Sequence, residues 1–204
     1  MSDRLPLTVL IQGGIASGKS TIARLIEARG ASRIDCDRVA HEILDSPEVQ
    51  ASVRERFGEH LVVEGLVDRK ALGALVFADE EALKELESWI HPRVRDRVRE
   101  ALEAGAVTED ELRGVLIVDA AVAEKMNLTD YDLRVFVDTP LAQRRERARE
   151  RGWDEDEVER REARQEPLEA RRARADFVLP NEGDLAEAEK HVERFWDDFV
   201  QPRR

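Results

Sequence analysis

The sequence predicts an α/β fold, a parallel sheet of about five strands flanked by helices, and three observations predict it. Short apolar runs that end at an acidic residue recur along the chain, stretches of helical periodicity separate them, and a glycine-rich segment joins the first strand to the first helix.

Residues 7–12 form the first apolar run and meet Gly13-Gly14. Ile22, Leu25 and Ile26 then recur at helical spacing over residues 20–29, and Gly30 supplies a C-cap. Residues 32–35 read as a second short strand whose tip carries Asp35-Cys36-Asp37. From Val39 to about Gly105 the pattern is helical, with stripes at Leu72, Leu75 and Val76 and at Leu83, Leu86 and Ile90; only residues 61–63 suggest a short strand there. Residues 115–118 and 133–137 are compact apolar runs followed by Asp119 and Asp138, as expected of buried parallel strands. Thr139 and Pro140 suit the N-cap and N1 positions of the next helix, Asp154 with Glu157 resembles a capping box, and Pro167 opens another helical stretch. Residues 177–179 are the last strand, and a final helix from near Asp184 puts Val192, Phe195, Trp196 and Phe199 on one face for core packing. One domain results, with its core at about 1–60 and 107–204 and an inserted helical lobe at about 61–106.

A formal net charge of −12 disfavours nucleic acid and anionic membranes as partners, because both select a net basic face. The apolar run before Gly13 is too short for a signal-peptide core or a membrane span. A single cysteine, Cys36, allows no internal disulfide and reads as buried filler; these features fit a cytoplasmic protein. Residues 141–174 carry 11 of the 33 basic residues, all Arg, among ten acids, a balance that suits ion-paired helices as well as a phosphate-facing patch.

The segment Gly13-Gly14-Ile15-Ala16-Ser17-Gly18-Lys19-Ser20 fits G-x-x-x-x-G-K-[ST] without a gap, between a strand and a helix as that motif requires. It makes the expected fold a P-loop NTPase-type sheet. Glycines let the backbone curl with its N–H groups inward, and the helix N-terminus adds partial positive charge, so Gly14, Ala16, Ser17 and Gly18 are expected to cradle the phosphates of ATP. Lys19 would reach the β and γ phosphates, Ser20 would ligate Mg²⁺, and Thr21 would touch the α-phosphate. A base-reading N-K-x-D tetrad is missing, since Asn181-Glu182-Gly183-Asp184 lacks the lysine, which argues against a GTPase.

Asp37, past a strand tip, is the candidate general base toward a substrate hydroxyl, or else the N-cap of a helix beginning at Arg38. Arg147 and Arg151, one helical turn apart, suit either closure over a transferring phosphate or surface ion pairing. His91-Pro92 reads as a substrate contact or as a helix break with a satisfied histidine.

With these residues in view, the chain resembles the dephospho-CoA kinase family over nearly its whole length. The likeness is carried by the phosphate loop through Thr21, by Ile34-Asp35-Cys36-Asp37, by Asp68-Arg69, Leu72-Gly73, Val76-Phe77 and Ile90-His91-Pro92, and by Arg147, Arg151-Gly152, Arg161, Gln165, Ala175-Asp176 and Asn181-Glu182-Gly183. The resemblance implies ATP-dependent phosphorylation of the ribose 3′-hydroxyl of dephospho-CoA, the last step of coenzyme A synthesis. It implies Lys19, Asp37 and Arg147 in catalysis, Arg151, Asn181 and Gly183 beside ATP, and Gln12, Arg69, Phe77 and His91 beside the acceptor. Residues of about 141–174 would form a helical lid. Two departures stand out: Gln12 where the family usually has Thr, and Ala121-Val122-Ala123-Glu124-Lys125 in place of its P-L-L-x-E corner. They leave open a kinase for another small alcohol or nucleoside, or a catalytically weakened ATP-binding homologue.

Overall fold

A computed structural model describes residues 5–105, 114–120, 123, 125, 126, 128, 131–153, 157–163 and 165–204. Strand β1 (Leu7–Gly13) leads through the phosphate loop into helix α1 (Lys19–Glu27), and β2 (Ser32–Asp35) follows. Four helices then leave the sheet before the chain returns to it: α2 (Cys36–Leu44), α3 (Pro47–Phe57), α4 (Arg69–Val76) and α5 (Glu80–Ala104), with a small antiparallel pair, β3 (Val62–Val63) and β4 (Leu66–Val67), between α3 and α4. The return is made by β5 (Val115–Asp119) and β6 (Leu133–Asp138). Helices α6 (Leu141–Arg149), α7 (Glu157–Glu162) and α8 (Leu168–Ala173) precede β7 (Phe177–Pro180), and α9 (Leu185–Phe195) packs back on the sheet.

The main sheet has five strands in the order β2-β5-β1-β6-β7, all parallel. Alternation along its strands divides the core in two. Val9, Ile11, Ile117 and Val135 face α1 and α9 through Ile22, Ile26, Val192 and Phe195. Leu10, Ile34, Leu116 and Val118 face the helical excursion through Val39, Ile43, Val53, Leu86 and Val94. Burying each such side chain stabilises the fold by roughly 1.5–3 kcal/mol, so both faces are held firmly and the register is fixed.

Several boundaries shift from their sequence expectation. The α1 helix stops at Glu27, with Ala28 as its C-cap, and Gly30 (φ 97°) makes the turn beyond. Asp35, not Asp37, caps α2: its carboxylate accepts from the Arg38 amide at 3.0 Å, which starts the helix at Cys36 and leaves Asp37 in the first turn with its side chain uncommitted to capping. Pro140 sits at the N-cap of α6, and Thr139 instead bonds the phosphate loop. Strand character at 61–63 falls on Val62–Val63, and its partner Leu66–Val67 was hidden by its two-residue length. Pro92 does not break α5 but lies inside its 25 residues. The proline costs one hydrogen bond to the Ser88 carbonyl, and burial of Ala82, Leu86, Val94 and Val98 on both sides of it outweighs that loss. Asp154 and the side chains of Glu157 and Arg161 lie outside the described residues, as do Ala121, Val122 and Glu124. Among the described residues no helix is long and apolar enough to cross a membrane.

Cys36 is fully buried at the start of α2. Burial first, and then the negative charges of Asp37, Asp119 and Asp35, push its thiol up to about 12. The thiol is therefore protonated and inert in the native fold. Ellman's reagent at pH 8 is expected to leave it untouched for many minutes and to titrate it at once in strong denaturant; rapid native reaction would show that the α2 N-terminus opens readily.

Candidate phosphate-transfer site

The phosphate loop depends on backbone conformations that few residues accept. Ala16 (φ 59°) and Gly18 (φ 87°) are left-handed, and alternation of this kind turns successive N–H groups toward one centre. A Cβ on Gly18 would overlap the Asn181 amide, and one on Gly13 would come within 2.7 Å of the Val137 carbonyl oxygen, a backbone atom that cannot move aside.

The outward-facing carbonyl of Ser17 is the counterpart of those inward N–H groups. It accepts from Asn181 Nδ2 at 2.7 Å, Thr139 Oγ1 at 2.9 Å and Arg147 Nη1 at 3.0 Å. Arg147 Nη2 also donates to the Asn181 carbonyl at 3.0 Å, and the Asn181 amide donates to Asp138 O at 2.8 Å, so the loop after β7, the tip of β6 and helix α6 grip the phosphate loop from behind. Buried Arg144 adds its Nε to the Thr139 carbonyl at 3.1 Å and pairs with Glu162 of α7, whose Oε1 accepts from the Ile15 amide at 2.8 Å.

In front of the loop lies a cavity of about 1010 Å³. Ala16, Ser17, Gly18, Lys19, Ser20 and Thr21 line its phosphate-loop wall, Asp37 lies with Asp35 and Asp119 at the strand tips, and Arg69 and Phe77 line it from α4 and its C-cap; Arg151 lines it from just beyond the end of α6. Parallel pairing puts Asp35 and Asp119 side by side in register, and Asp119 beside Ile11, so the acids emerge where the sheet meets the loop.

Lys19 folds over its own loop, Nζ donating to Gly14 O at 3.0 Å and Gly13 O at 3.2 Å. Burial pulls its pKa below the ordinary lysine value; Asp119, Asp37 and Glu162 oppose that shift while Arg171 adds to it. Asp37 is reachable by solvent from the cavity, yet its depth among protein atoms raises its carboxyl above the ordinary range, and Asp35 and Asp119 raise it further against the pull of Lys19 and His41.

Other expected site residues stand behind this wall. Gly14, Arg147 and Asn181 belong to the layer that shapes the loop, and Gly183 lies two residues farther on, away from the cavity lining. Gln12 is buried in β1, opposite Phe136 of β6. Half-buried His91 lies on α5 beneath Glu87 and Lys125, which do line the cavity; burial lowers its pKa, and the Glu87 charge partly offsets that. Arg69 is steadied by Asp45 at 2.6 Å. The lysine of the altered corner, Lys125, pairs with Glu87 at 3.6 Å on that same wall. Sequence reasoning did not assign Asp119, although its signal, a strand ending in an acid, is the one that exposed Asp35; nor did it assign Arg38, His41, Lys70 or Arg160, lone surface-type polar residues that only the fold gathers here.

A sequence model described as dephospho-CoA kinase matches residues 7–187. The dephospho-CoA kinase of Geobacter sulfurreducens is 37% identical over 192 residues, covering 91% of this chain and 95% of that protein, and that of Streptomyces avermitilis is 39% identical over 199 residues, covering 95% and 94%. Among solved structures, the Thermus thermophilus protein TT1252 superposes with a TM-score of 0.81 at 31% identity, over 97% of this chain and all of that one. The dephospho-CoA kinase from Campylobacter jejuni gives a TM-score of 0.68 at 23% identity over 97% and 98%, a likeness of fold. With a phosphate loop, a strand-tip acid and one cavity joining them, the chain belongs to the dephospho-CoA kinase family.

Proposed function

We propose that this protein transfers the γ-phosphoryl group of ATP to the ribose 3′-hydroxyl of dephospho-CoA, giving coenzyme A and ADP in the cytoplasm. The observation that carries the reading is that Asp37 and Lys19 open into one cavity, between a phosphate-binding loop and a second wall of different character. That second wall combines the cations Arg38, Arg69 and Lys70 with the apolar Gly73, Ala74, Phe77 and Leu83, and Phe77 is 55% exposed. Cations beside an apolar strip suit an acceptor that carries phosphates and a long uncharged arm.

Asp37 accepts the proton of the attacking hydroxyl, and Lys19 leaves its loop carbonyls to pair with the β and γ phosphates. Arg151 and Arg160 face the transferring group from the α6–α8 side, while Arg147 acts through the Ser17 carbonyl by keeping the loop curled. Ser20 and Asp119 are the oxygen donors that would hold Mg²⁺, which supplies charge neutralisation across the phosphates. The donor set fits that ion in kind: a hydroxyl and a carboxylate, both hard oxygen donors, line the same cavity as the phosphate loop.

In a coupled ADP-release assay with Mg²⁺-ATP, turnover should require dephospho-CoA and fall by ~100-fold or more in Lys19→Ala. ATP consumption with a different alcohol in preference to dephospho-CoA would identify another acceptor, and binding without turnover would identify a weakened homologue.

Asp37→Asn should lower kcat by ~100-fold or more with ATP affinity little changed. The raised pKa gives the substitution a second signature. A carboxyl whose folded pKa exceeds its unfolded value favours the fold below the unfolded pKa and loses that contribution as pH rises through the folded one. The variant should therefore match or exceed the parent Tm at pH 7–8, and the gain should vanish toward pH 4. In the parent, the acidic limb of kcat should lie above the ordinary aspartate range. A Tm loss at neutral pH would mark Asp37 as a structural residue.

A further inference from the structure

The strand tips pose an electrostatic problem. Asp35 and Asp119 are register partners on adjacent parallel strands, both open on the cavity, and like charges so placed repel. Arg33, two residues before Asp35 and on the same face of β2, answers it. Its Nη2 lies 2.6 Å from Asp119 Oδ2 and 3.3 Å from Asp35 Oδ2, and its Nη1 lies 3.7 Å from Glu27 Oε2 of α1. The Arg33 side chain is 14% exposed and that of Asp119 10%, and Arg33 does not line the cavity. The cation thus works from behind the wall.

As a device for stability alone this arrangement is poor. The Arg33 Nε is buried with no hydrogen-bond partner, and burying a charge with an unsatisfied donor costs about as much as the pair returns. What it does secure is geometry. With Oδ2 of Asp119 committed to the guanidinium, a carboxylate that lines the cavity is fixed in direction, close enough for its charge to act on Lys19.

We propose that Arg33 is a positioning residue for phosphoryl transfer: it bridges Asp35 and Asp119, cancels their mutual repulsion, and holds Asp119 in the orientation that the Lys19 and Ser20 end of the cavity requires. The inference rests on the kinase reading for the role of Asp119, and it is independent of which acceptor is used.

The test compares Arg33→Gln, Arg33→Lys and the double variant Arg33→Gln/Asp35→Asn with the parent. Arg33→Gln should lower kcat by ~10-fold or more with acceptor KM changed less than ~3-fold, and Arg33→Lys should recover part of the loss. The decisive arm is the double variant: removing Asp35 removes the repulsion, so it should turn over faster than Arg33→Gln alone. Equal or lower kcat in the double variant, or a fall in Tm with kcat per folded molecule unchanged, would overturn the proposal. Mn²⁺-ADP binding, followed by electron paramagnetic resonance, needs no acceptor. It should weaken in Arg33→Gln and recover in the double variant; unchanged or tighter binding would show that Arg33 does not orient Asp119 for the metal and would also overturn the proposal. An inactive parent would refute the acceptor reading only, leaving the Mn²⁺-ADP comparison to decide on Arg33.

Discussion

The active geometry depends on one peptide carbonyl facing the wrong way. A phosphate loop binds anions because its N–H groups converge, and they converge only if the intervening carbonyls point out into the protein. Buried carbonyls need partners, and that of Ser17 has three: the Asn181 amide, the Thr139 hydroxyl and the Arg147 guanidinium. These partners come from the loop after β7, the end of β6 and helix α6, so elements far apart in sequence are tied to the first loop of the chain. Loss of these partners would unpair the carbonyl and loosen the loop without altering a side chain of the cavity wall.

Parallel pairing supplies the other half of the constraint. Because β1, β2 and β5 run the same way and in register, their C-terminal ends reach one edge together, and residues 35 and 119 arrive there as neighbours. The same rule that makes this edge a natural ligand crevice concentrates its acids. Asp37 stays in the cavity because Asp35 takes over the capping of α2; a helix starting two residues later would have spent Asp37 on its own amides.

How much of this was legible follows from the range of each signal. The five strands, the phosphate loop and Asp37 rest on local patterns, apolar runs and fixed spacing, and the structure has the strands and loop where those patterns put them. Of the two readings of His91-Pro92, the helix break is absent because packing of α5 against its neighbours, a tertiary quantity, outweighs one lost hydrogen bond. A separation of one helical turn would put Arg147 and Arg151 on one face, but α6 ends at Arg149, so one arginine turns to the Ser17 carbonyl and the other to the cavity. Asp119 was visible as a strand end, yet its partnership with Asp35 depends on strand order, which no local pattern carries. The two departures likewise separate in space: Gln12 is buried in β1, whereas Lys125, of the altered corner, lines the cavity.

The charge of the chain also acquires meaning only through the fold. A molecule with a formal net charge of −12 should repel polyanions, yet among the described residues its cavity is lined by eight lysines and arginines, Lys19, Arg24, Arg38, Arg69, Lys70, Lys125, Arg151 and Arg160, against four acids, Asp35, Asp37, Glu87 and Asp119. Low-dielectric walls focus the field of those cations inward, and the surrounding negative surface screens it from outside. Under the proposed function this favours selection by size: small phosphorylated molecules entering the cleft would meet positive potential, and extended polyanions left on the surface would meet negative potential. Within that cationic cleft the strand-tip acids are the exception, and in the proposed reaction they stand where a proton would be removed and a divalent cation held, functions that positive charge alone would defeat.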